Sequence, residues 1–91
     1  MFSVNQYFSG HGLGKELHLW PIIGYARGDG SNVVLKSGMV FTVEPIIMEL
    51  GHEHYVKEDG WTAVSKDGGR CAQHEEAILV TDQGPVVLTS H

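Results

Sequence analysis

A single unit made almost wholly of strands and turns is the architecture this sequence predicts, and three observations carry that expectation. No segment shows the i, i+3, i+4, i+7 apolar stripe of an amphipathic helix. The apolar runs are short, rich in β-branched and aromatic residues, and bounded by Gly, Pro, Asp and Asn. Twelve glycines in 91 residues supply turn positions at close intervals. A chain of this length makes one domain at most and buries only about 60–65% of its unfolded surface, so a thin core is expected.

Taken in order, residues 2–8 alternate loosely and predict a first strand. Gly10-His11-Gly12-Leu13-Gly14 follows, and glycines at alternate positions predict a loop, since they weaken helix and strand interiors alike. Residues 16–20 predict a second short extended piece ending at Pro21, and residues 24–32 are loop by composition. Lys36-Ser37-Gly38 reads as a turn into residues 39–48, the longest apolar stretch and a predicted strand. Pro45 inside it cannot donate to a ladder, so a bulge or an edge is expected there. Residues 55–57 and 61–65 predict a hairpin about Glu58-Asp59-Gly60, and Asp67-Gly68-Gly69 another turn. Residues 71–81 and 86–89 predict a final hairpin about Asp82-Gln83-Gly84.

Composition narrows the function. Eleven acids against six Lys and Arg give a net charge of −5, and no basic cluster exists, which argues against nucleic acid as a partner. The lone Cys71 excludes an internal disulfide or a thiolate zinc cage. No apolar run approaches the ~18–20 residues of a membrane span, and the N-terminus lacks a basic-then-apolar signal pattern, so no membrane partner and a cytoplasmic location are expected. Six histidines in so short a chain are the remaining surplus.

Strand alternation sorts the polar groups. Val40, Thr42 and Glu44 fall on one face, and Glu44 is a carboxylate in the most apolar strand, immediately before a proline. Buried unpaired, it would need a cation, a metal or a dense set of donors. Further on, Cys71, Gln73 and Glu75 share one face and Ala72, His74 and Glu76 the other, so Glu75 and Glu76 cannot both enter one site without a bulge. On pattern alone either one fits an inner face. With His11 in its glycine segment, an imidazole and carboxylates from separate parts of the chain make a ligand set for Mn, Fe, Co or Zn. The plainer alternative is a loop histidine with half-exposed strand glutamates. His18 reads either as a second polar group of the same pocket or as a surface histidine. His52 and His54, flanking Glu53, are expected in solvent, and Trp20 and Trp61 read as core or rim packing.

Several motifs in order then resemble one family: Ser9-Gly10-His11-Gly12-Leu13-Gly14-Lys15, His18, the stretch from Asn32-Val33-Val34-Leu35-Lys36-Ser37-Gly38 through Phe41-Thr42-Val43-Glu44-Pro45, Asp59-Gly60-Trp61-Thr62, Ala72-Gln73-His74-Glu75 and Thr81-Asp82-Gln83-Gly84. Together they are similar to the C-terminal half of the type I methionine aminopeptidases, a branch of the pita-bread metallopeptidases. The resemblance implies an α+β pita-bread fold of which this chain covers the mostly β C-terminal half, residues 1–91. It implies His11, Glu44 and Glu75 as metal ligands, Glu75 bridging two divalent ions (Co, Mn, Fe or Zn), which resolves the choice between Glu75 and Glu76. It implies Glu44 also as proton acceptor, His18 as the histidine contacting the scissile carbonyl, and Leu17 and Trp61 as walls of a methionine pocket. The implied substrate is a peptide or nascent-protein N-terminus beginning with Met.

The chain departs from the family pattern at Leu17, where Phe is usual, at His74, where an aromatic is usual, and at Glu76, where His is usual. Those changes make a catalytically inactive binding or scaffold relative the alternative reading. Two aspartate ligands and another histidine of the family lie upstream of the matched segment, so little or no peptidase activity is expected of the 91 residues alone. An exposed sheet edge is expected to drive self-association or leave the chain marginally stable.

Overall fold

Ten short strands, and no helix, form among the residues that the computed structural model describes, 1–29 and 32–90. The expected loop over 24–32 therefore lies partly outside them, at residues 30 and 31. Strands β10 (Gly84–Val87), β9 (Glu76–Thr81), β4 (Val40–Val43), β2 (Gly10–Gly12) and β3 (Leu19–Ile23) form one antiparallel sheet in that order. A second sheet has the order β1 (Ser3–Val4), β5 (Ile46–Met48), β8 (Cys71–Gln73). The third is the hairpin β6 (His54–Val56) with β7 (Ala63–Ser65).

The two hairpins expected around Asp-Gly and Asp-Gln-Gly turns form, with boundaries moved by one or two residues. Gly60 and Gly84 take φ of 71° and 113°, where a side chain would be strained. The Asp59 carboxylate accepts the backbone N–H groups of Trp61 and Thr62 and the Thr62 hydroxyl, which shapes the first turn. These bonds hold its pKa below the ordinary 3.8, the Thr62 hydroxyl contributing most.

Both long predicted strands divide. The run over 39–48 is β4 and β5, separated by Glu44 and Pro45; the run over 71–81 is β8 and β9, separated by His74 and Glu75. The breaks face each other. Val43 pairs with Glu76 in the large sheet and Ile46 with Gln73 in the small one, so both chains leave one sheet and enter the other at the same level. Pro45, without an N–H, stands where no ladder bond is made. This seam, with a glutamate on each side of it, is the feature that positions the site.

Three other expectations are corrected. The glycine segment is not a loop: Gly10–Gly12 is strand β2, inside the large sheet. Its glycines serve close approach, since a Cβ on Gly12 would lie 2.2 Å from the Trp20 carbonyl oxygen, and one on Gly10 2.3 Å from that of Thr42. The second extended piece does not stop at Pro21 but runs through it as β3. That strand is an edge, and Trp20 and Pro21 lie opposite the register shift between His11 and Gly12, where a missing donor costs least. The first strand shortens to Ser3–Val4 because Asn5 ends it: its Oδ1 accepts the N–H groups of Tyr7 and Phe8 and turns the chain.

Asn5 is also among the few buried side chains of the described residues, with Phe41, Thr42 and Met48, so the core is as thin as the length implied. With Oδ1 committed to two donors, its Nδ2 donates to His54 Nδ1 at 3.0 Å and to the His52 carbonyl at 3.3 Å. The His54 ring packs on Tyr7 and Phe8, at centroid distances of 5.2 and 4.9 Å. His54, expected in solvent, is thus half-buried and ties the small hairpin to the N-terminal segment; His52 is exposed. His91 lies outside the described residues.

Candidate metal centre at the sheet seam

Three elements converge at the seam. His11 comes from β2, Glu44 from the β4–β5 break and Glu75 from the β8–β9 break. One ligand atom from each lies within 4.8 Å of the other two, the one group of three or more potential metal ligands among the described residues. His11 and Glu44 are shielded, with 16% of each side chain exposed, while Glu75 opens to solvent.

Alternation within β4 places Thr42 and Glu44 on one face, and the structure uses that. The Thr42 hydroxyl accepts the His11 N–H at 2.9 Å and donates to Glu44 Oε1 at 2.7 Å. The Glu44 peptide groups have no ladder partner, because the chain is between sheets. The Tyr25 hydroxyl accepts the Glu44 N–H at 2.7 Å, and Gln73 Nε2 donates to the Glu44 carbonyl at 2.9 Å. Burial pushes the Tyr25 phenol above its ordinary 10.0; the Glu44 N–H works against this, and the charges of Glu44 and Glu75 add to the rise.

The His11 ring is oriented by its other nitrogen. Nδ1 lies 3.1 Å from the Gly12 carbonyl oxygen, an acceptor only, so Nδ1 carries a proton. Nε2 then faces Glu44 Oε1 at 3.2 Å. A cation between the ring nitrogen and the carboxylate oxygen would engage both as donors. An imidazole with its far nitrogen tied to a backbone carbonyl is the usual setting of a metal-bound histidine. A nitrogen and two carboxylates suit a divalent ion with bonds of about 2.0–2.2 Å. The donor set therefore fits one ion, and a second would call for ligands beyond these three.

Beside the cluster is an open hollow of about 580 Å³. Tyr7, Phe8, His11, His18, Trp20 and Glu44 contribute to its lining. The His18 ring meets that of His11 edge to face at 4.4 Å, although His18 is exposed. Leu17 and Trp61 do not line this hollow; they are 69% and 88% exposed. Sequence reasoning did not single out Tyr25, Thr42, Tyr7 or Phe8 as site residues. Only Thr42 carried a usable signal, as the neighbour of Glu44 on its face.

Comparison with known proteins identifies relatives of the whole chain. The chain is 43% identical over 88 residues to the methionine aminopeptidase of Haemophilus influenzae, covering 97% of this chain and 33% of that one. It superimposes on the crystal structure of Thermotoga maritima methionine aminopeptidase with a TM-score of 0.92 at 46% identity, over 99% of this chain and 36% of that one. The Rickettsia prowazekii methionine aminopeptidase structure gives 0.89 at 40%, over 98% and 36%. The described strands thus have the pita-bread fold, and the chain spans about a third of the length of the curated relatives it matches. The family model for metallopeptidase family M24 matches residues 2–82, and the chain belongs to that family.

Proposed function

We propose that this chain is the metal-bearing part of a methionine aminopeptidase, which removes the N-terminal methionine from peptides and nascent proteins in a divalent-metal-dependent hydrolysis. The observation that carries the proposal is the meeting of His11, Glu44 and Glu75 beside an open hollow. These three residues hold one ion, and the proposal extends to a pair of ions once further ligands join. Co, Mn, Fe and Zn all suit the donors. When bound, such ions lower the pKa of water and stabilise charge on a carbonyl oxygen. Glu44 takes a proton at its carboxylate, held in place by the Thr42 hydroxyl. His18, against His11, contacts the scissile carbonyl. Leu17 and Trp61 enter the proposal as apolar contacts for the methionine side chain on the strength of the sequence match alone. A cytoplasmic location, where nascent chains emerge, is part of the same proposal; among the described residues no helix is long and apolar enough to cross a membrane.

A second reading, an inactive relative that keeps the scaffold for a partner, is favoured by the neighbours of Glu75. His74 Nε2 lies 2.7 Å from Glu76 Oε1, and the Thr89 hydroxyl donates to the other oxygen of Glu76. Calorimetric titration with Mn²⁺ or Co²⁺ separates the two: the enzyme reading expects saturable binding, and the scaffold reading expects none. Release of methionine from Met-Gly-Met by the metal-loaded 91-residue chain is expected to be slight, since three ligands fall short of a two-ion set. Rapid metal-dependent release would overturn that expectation.

Self-association is part of the same proposal. Trp20 on strand β3, and Val86 and Val87 on edge strand β10, are exposed, a combination that favours edge or face pairing. Sedimentation velocity is expected to show a concentration-dependent shift to species heavier than the 10.0 kDa chain. A single monomeric boundary at all concentrations would rule it out.

A further inference from the structure

Glu44 is the residue on which the proposed centre turns, and its backbone is held in an unusual way. It lies between strands, so neither its N–H nor its carbonyl is engaged by a ladder. A half-buried N–H without an acceptor is unfavourable. The acceptor is a phenol from 19 residues upstream, the Tyr25 hydroxyl at 2.7 Å. The same oxygen lies 3.5 Å from the Thr42 carbonyl, at the outer limit of a hydrogen bond. A Cβ on Gly10 would stand 2.3 Å from it, so strand β2 is shaped to let the phenol in. The carboxylate end of Glu44 is held separately, by the Thr42 hydroxyl at 2.7 Å.

We propose that Tyr25 is a positioning residue for the metal centre: its hydroxyl fixes the Glu44 peptide at the seam, and so aims the Glu44 carboxylate at His11. This deepens the metal-centre reading and rests on it. Tyr25 does not touch the ion or the substrate in this proposal. It acts through the direction in which the chain leaves β4, and the phenyl ring alone does not replace it.

The test compares Tyr25→Phe with the parent chain, using Co²⁺ as the probe and its visible absorption as the readout. Tyr25→Phe keeps the ring and removes only the acceptor. It is expected to weaken Co²⁺ binding about 10-fold, the lower end of what loss of an outer partner costs, and to change the band pattern of the bound ion. Asn5→Ala serves as the control, because it loosens the fold at hydrogen bonds that do not involve Glu44. It is expected to lower the melting temperature while leaving affinity and spectrum alone. Equal affinity and an unchanged spectrum in Tyr25→Phe would overturn the proposal, as would an equal loss in Asn5→Ala. Failure of the parent chain to bind Co²⁺ would instead refute the metal-centre reading. In that event the metal-free chain decides the role of Tyr25: the ¹³C shift of the Glu44 carboxylate moves in Tyr25→Phe if the hydroxyl aims it, and an unmoved shift overturns the positioning role.

Discussion

Glu75→Ala is expected to weaken Mn²⁺ or Co²⁺ binding by more than about 100-fold, beyond the usual cost of losing an outer partner, while the melting transition stays where it was. The separation of the two effects is what makes the result informative. Glu75 is exposed and stands in the break between β8 and β9, so its side chain contributes little to the core. Surface changes of that kind ordinarily cost within about 0.5 kcal/mol. Its carboxylate is nevertheless one of three ligand atoms within 4.8 Å of one another, and the remaining His11 and Glu44 would hold an ion by two bonds only. Calorimetric titration beside a thermal melt reads both quantities. Unchanged metal affinity in the variant would remove Glu75 from the ligand set.

Gly12→Ala is expected to prevent the chain from folding, and Gly14→Ala to be tolerated. The difference lies in what the new methyl group meets. At Gly12 it lies 2.2 Å from the carbonyl oxygen and 2.8 Å from the carbonyl carbon of Trp20, both backbone atoms of the neighbouring strand. Relief requires β3 to move off β2, which carries His11. At Gly14 the nearest atom, at 2.9 Å, is Cδ1 of Leu19, the far end of a side chain that can rotate away. Overpacking of the first kind costs about 3 kcal/mol or more, against a total of only about 5 kcal/mol at the low end for small domains. Far-ultraviolet circular dichroism and dispersion of the amide proton spectrum would show it. Two variants that fold equally well would mean that the β2–β3 contact is looser than the structure has it.

The readable parts of this fold are those governed by nearest neighbours. Asp59-Gly60 and Asp82-Gln83-Gly84 mark turns through their own chemistry, and both hairpins form about them. The seam is not of that kind. Residues 39–48 and 71–81 each look like one continuous strand, because a change of sheet leaves the alternation of side chains almost intact. Pro45 signalled an irregularity but not its partner 30 residues on, at Glu75. The glycines of β2 were misread because their reason is the proximity of Trp20 and Thr42, which only the assembled sheet supplies. His54 was misread for the same reason, its partners Asn5, Tyr7 and Phe8 being distant in the chain. Chemistry alone marked His11 and Glu44 as candidates, and the place of a carboxylate in the most apolar stretch, before a proline, was the stronger clue. The choice of Glu75 over Glu76 lay beyond alternation, since the break interrupts the strand at that point. Tyr25 left no trace in the sequence, sitting in a stretch whose composition says only that it is loop.

The paired break has a consequence for selectivity among ions. Each carboxylate hangs from a junction between the same two sheets, and the ring nitrogen from a strand belonging to only one of them. In the proposed centre, the separation of the two glutamates therefore depends on the angle between the sheets as well as on each rotamer. A repacking under the small sheet, at Met48 for example, would open or narrow that angle without touching a ligand. In that proposed centre, preference between larger and smaller cations drifts through core substitutions alone, with every donor atom retained.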